Sequence, residues 1–151
     1  MKSKLLLPTE LYVFAAIYAI MLSLWVWLLS PQLSTILFII GAIIGLHLFE
    51  LIRLIMQSDN TTSLFYSAFT QGLITIVTLF VLTSTADYLG KGVVLFLNMR
   101  LLFMQYRAFQ SGALSRWLSQ NQTIAPNVQQ TYLLILLIFF IIESLIFVVV
   151  K

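Results

Sequence analysis

The chain has 151 residues, 61% of them hydrophobic and 9% charged, and a net charge of +3. Soluble domains carry roughly 25% charged residues, so this composition and a mean hydropathy of +1.04 argue against a soluble fold and predict an all-α integral membrane helical bundle in one domain. The absence of cysteine excludes a disulfide framework, a thiol nucleophile and a cysteine metal site, and without a basic run there is no footprint for nucleic acid.

Lys2 and Lys4 stand in a short polar N-terminal segment, where Thr9 is the expected helix cap. The first span, 11–29, runs 19 residues without a charge, enough to cross about 30 Å of hydrocarbon. A cleaved signal peptide would have a shorter apolar core, about 7 to 15 residues, ending at small residues; this run ends in WVWLLSPQ. Ala15, Ala19 and Ser23 form a small-residue stripe suited to close helix packing. Ser-Pro-Gln at 30–32 is a tight turn, which makes the first two spans antiparallel neighbours. The second span, 33–56, contains Gly41 and Gly45 in a GxxxG pattern that lets two backbones approach, although such spacing also arises by chance. His47, Glu50 and Arg53 follow, each three residues from the next and so within reach of it.

A polar turn, 57–63, precedes the third span, 64–84, with Thr62 or Ser63 as its expected cap. Its threonines can bond back to their own helix, which leaves Gln71 as its demanding polar group. Asp87 is the expected cap of the next helix and Gly112 its stop. Residues 113–120 alternate into an apolar and a polar side, predicting a short interfacial helix. After a loop closed by Pro126 and the candidate cap Asn127, the last span, 132–150, is interrupted only by Glu143 and Ser144.

The stretch 89–109 is the one whose placement is open. It is apolar but carries Lys91, Asn98, Arg100, Gln105 and Arg107. On a helix, Lys91, Asn98 and Gln105 fall within about 20° of one another, and Arg100 and Arg107 lie near the opposite side. Two polar stripes separated by two apolar arcs suit a helix packed between neighbours rather than one lying on a surface with a single wet face. The rival reading, a re-entrant or surface helix, rests on the roughly 2.5 to 3.5 kcal/mol cost of a lone arginine at mid-membrane. A spanning stretch gives five transmembrane helices. It also places Lys2, Lys4, Arg53, Arg107 and Arg116 on one side against Lys91 and Lys151 on the other. That asymmetry predicts a cytoplasmic N-terminus, whereas a four-span arrangement divides the basic residues evenly.

At about 1.5 Å per residue, Arg100 and Glu143 share the mid-membrane level, which predicts an ion pair between them. His47, Glu50, Gln71 and Arg107 share a level towards the cytoplasm, which predicts a second polar cluster. Intramembrane ionisable groups mark functional sites or serve to lock a bundle. The sequence holds no catalytic arrangement, no phosphate loop, and one histidine, too few for a bis-histidine haem site. No cofactor or metal site is expected. The expected partners are the lipid bilayer and either further copies of the chain or a larger membrane complex. Two functions stay open: a structural or accessory membrane protein, and a small transporter or ion-path protein using Arg100, Glu143, His47 and Glu50.

Overall fold

A computed structural model describes residues 8–29, 32–56, 67–84, 86–114 and 123–149, with the side chains of 53–56 outside that description. Among the described residues the fold is all-α, a bundle of five helices: α1 (Thr9–Leu29), α2 (Gln32–Met56), α3 (Ala68–Ser84), α4 (Tyr88–Gln110) and α5 (Pro126–Val149). α1, α2 as far as Ile52, and α5 are long and apolar enough to cross a membrane. α3 is a shorter apolar helix of 17 residues.

The helix ends follow local chemistry. Asp87 caps α4, its carboxylate accepting from the Leu89 and Gly90 amides at 3.0 and 2.9 Å. α4 ends at Gly112, whose φ of 71° suits a residue without a Cβ. The Gly112 amide bonds the Phe109 carbonyl and the Ala113 amide bonds the Ala108 carbonyl, the paired bonds of a Schellman cap. α1 starts one residue earlier than expected, with the Pro8 carbonyl taking the Leu11 amide. Ser67 caps α3 by accepting the Thr70 amide at 3.2 Å, while Thr62 and Ser63 lie outside the described residues. α5 starts at Pro126, two residues before the start that a cap at Asn127 predicts. Proline supplies a pre-set φ and needs no amide partner in the first turn, so Asn127 lies inside the helix instead of capping it. Of the expected interfacial helix, Ala113 and Leu114 are described, and 115–120 lie outside.

Successive helices alternate in direction. α1 and α4 run antiparallel, since Glu10 meets Arg107 at one end and Tyr18 meets Phe96 further along. α3 is antiparallel to α4, with Gln71 beside Asn98 and Thr78 beside the Val94 carbonyl. α2 is parallel to α4: Phe38 lies against Gly92 and Glu50 against Arg100. α4 is therefore enclosed. Its buried residues include Lys91, Asn98, Arg100 and Gln105, whereas α1, α3 and α5 turn long apolar side chains such as Phe14, Phe80 and Leu134 outwards.

The α2–α4 contact is made by backbone. A Cβ on Gly41 would overlap the Leu89 carbonyl, one on Gly45 would overlap the Val93 carbonyl, and one on Gly92 would stand 2.5 Å from the Phe38 carbonyl. The GxxxG pattern is thus a packing face, met from the other side by Gly92. In lipid no hydrophobic effect drives helices together, so close approach of this kind supplies dispersion contacts that larger side chains would prevent.

Candidate functional site: two polar clusters on opposite sides of α4

Asn98 and Gln105 lie on one face of α4, seven residues apart, and meet α3 and α5. The Gln105 Nε2 donates to Gln71 Oε1 at 3.5 Å, Gln71 Nε2 donates to Asn98 Oδ1, and Asn98 Nδ2 donates to Glu143 Oε2. Three amides thus point the same way in a chain that ends on a carboxyl group. Such chains polarise one another in a low-dielectric interior. All four side chains are at most 2% exposed. At one end Glu143 Oε1 has no hydrogen-bond partner among the described residues; at the other, Gln105 faces the Tyr132 hydroxyl. Beside Glu143, the Tyr18 hydroxyl lies 2.7 Å from Ser144 Oγ, and Ser144 in turn donates to the Phe140 carbonyl at 2.8 Å. Thr75 and Thr78 bond back to the carbonyls of Gln71 and Ile74 at 2.9 and 2.7 Å, so they take nothing from the network.

On the opposite face, Arg100 is 1% exposed. Its two terminal nitrogens engage the two oxygens of Glu50 in the fork geometry that suits guanidinium and carboxylate. Nη1 also donates to the Leu46 carbonyl at 2.7 Å, and the guanidinium lies 5.1 Å from the centre of the Phe49 ring. Both α2 partners follow from helical spacing, since Leu46 and Glu50 are four residues apart and share a face.

This arrangement corrects two sequence expectations. Arg100 pairs with Glu50 on α2, not with Glu143. Arg100 and Glu143 match in depth, but Glu143 meets α4 on the Asn98 face, about 200° around the helix from Arg100. Nor do His47, Glu50, Gln71 and Arg107 form one cluster. Gln71 joins the amide chain and Glu50 takes Arg100. The His47 ring lies 5.9 Å from that of Tyr12. Arg107 reaches Glu10 at 3.3 Å, and both remain largely exposed. The two-stripe pattern itself holds for Asn98, Gln105 and Arg100, each of which meets a polar partner from another helix. Lys91 stands apart, its Nζ 5.6 Å from the Tyr88 ring centre.

Asn98 and Gln105 belong among the site residues; their signal was the seven-residue repeat with Lys91. Tyr18 carried no such signal, being one of two tyrosines in an apolar run. Among the described residues no group of three or more His, Asp or Glu could hold a metal ion. No protein-family model, no curated protein and no solved structure matches the chain.

Proposed function

We propose that this chain is a single five-span transmembrane domain with its N-terminus in the cytoplasm, and that it serves as a structural or accessory membrane protein. The observation that carries this reading is that three of the polar groups buried in α4 are answered by its own neighbours: Arg100 by Glu50, Asn98 by Gln71 and Glu143, and Gln105 by Gln71. Charges committed to one another lock a bundle and leave few groups to receive a substrate. The alternation of helix directions supports the five-span placement, because a surface helix would cross its neighbours instead of running antiparallel to them over its length. The larger assembly is a partner complex in preference to a homo-oligomer. Gly41 and Gly45 are occupied inside the chain by α4 and leave no small-residue face from α2 for a second copy.

A second reading, an ion or proton path, has one observation in its favour. Glu143 is 0% exposed, no cation reaches it among the described residues, and its Oε1 has no partner. Vesicles loaded with a pH-sensitive dye and carrying the purified protein separate the two. The structural reading expects proton leakage equal to that of empty vesicles. A leak abolished by Glu143→Gln overturns it in favour of the path.

A further inference from the structure

We infer that the cleft between α1, α4 and α5 is a binding site for one acyl chain of a zwitterionic membrane phospholipid. The inference rests on the five-span placement proposed above.

The cleft encloses about 590 Å³, within the roughly 300–1,000 Å³ of small-molecule sites. Ile17 of α1, Leu102 and Phe103 of α4, and Leu134 and Leu137 of α5 form its walls. Several of these face outwards, Ile17 being 57% exposed and Leu134 57%. In a bilayer hydrocarbon must fill such a gap, since water finds no polar partners there.

Its length selects the occupant. Along α4 the lining runs from Met99 to Phe109, about 15 Å of helix, or half the hydrocarbon thickness of about 30 Å. The inner end closes near mid-span. There the Tyr18 ring lies 5.4 Å from that of Phe140 and 5.3 Å from that of Phe96, and its hydroxyl is tied to Ser144. A helix from a partner or a second copy needs a groove through both leaflets, and this one stops in the middle. A single acyl chain from one leaflet has the matching length.

The outer end carries two side chains with polar groups, Gln130 and Tyr106, beside Phe109. Glu10 and Arg107 stand one turn beyond Phe14 and Phe103 on the same helix faces, 3.3 Å apart and 70% and 47% exposed. A guanidinium for the phosphate and a carboxylate for the ammonium group complement a zwitterionic headgroup at the level where headgroups lie.

The test uses vesicles of phosphatidylethanolamine doped with the same lipid carrying a photoactivatable acyl chain. Illumination and peptide mapping should place one label per chain on the Leu102–Phe103 or Leu134–Leu137 walls. Ile17→Trp with Leu134→Trp should abolish that label, and Ile76→Trp on the outer face of α3 should leave it. The wild-type map stands without the variants. Label spread over Ile76, Phe80 and Leu145 in proportion to exposure means bulk lipid only and overturns the site. Cross-links between copies at Phe14 and Leu134 overturn it in favour of a second copy. Single cysteines at Ala86 and Gln120, which flank α4, labelled in the same vesicles, check the placement independently. Labels on one side of the membrane overturn the five-span reading, whereas opposite sides with scattered photolabel overturn the lipid site alone.

Discussion

Arg100 keeps a charge at a nearly closed position because α2 brings it two acceptors at once, the Glu50 carboxylate and the Leu46 carbonyl. Removing one member of such a pair strands the other in low dielectric. Arg100→Met or Glu50→Leu should each cost about 3 kcal/mol, and the double variant should cost less than the sum of the two. Arg100→Met and Glu143→Leu, acting on opposite faces, should instead add to within about 0.5 kcal/mol. Thermal unfolding in detergent measures both cycles. A strong coupling between Arg100 and Glu143 would contradict the geometry. The Arg107–Glu10 pair belongs to a different class. Both groups are largely exposed, so its coupling energy should stay below about 1 kcal/mol and fall further as salt is added.

At the scale of elements, the pairing of α2 with α4 depends on atoms that are absent. Gly45→Leu would drive a side chain into the Val93 backbone, and because backbone cannot turn aside as a side-chain tip can, the helices must separate. Overpacking typically costs about 1–3 kcal/mol; loss of the Arg100–Glu50 contact on the same interface should raise that. Gly72 is the control. Nothing lies within 4 Å of its missing Cβ, so Gly72→Ala should be neutral or stabilise α3 by up to about 1 kcal/mol through helix propensity. Equal damage from the two substitutions, measured as the folded fraction in detergent, would show that the α2–α4 approach does not matter.

For the whole molecule, the five-span reading turns on α4. The helix carries more charged residues than any of its neighbours, Lys91, Arg100 and Arg107, yet has the most buried residues, because the other helices pack around it. A cysteine-free chain makes the test direct: cysteines placed singly at Ala86 and Gln120, which flank α4, should react with an impermeant maleimide from opposite sides of sealed vesicles. Reaction from the same side would mean an even number of crossings between them and would return α4 to the membrane surface.

The places of the polar groups along α4 and the two ends of that helix were legible in the sequence. The rise per residue put Asn98 and Arg100 at mid-helix, the rotation per residue put them on opposite faces, and Asp87 and Gly112 marked where α4 starts and stops. The start of α5 was legible to within two residues, in Pro126 and Asn127. The neighbour each face would meet was beyond the sequence. A helix's own periodicity fixes which residues share a side, but it says nothing about the order of other helices around it. Glu50 and Glu143 were both within reach of Arg100 along the membrane normal. The choice between them was made by the backbone contact of Gly41, Gly45 and Gly92, which draws α2 against the Arg100 face and leaves α5 to the Asn98 face.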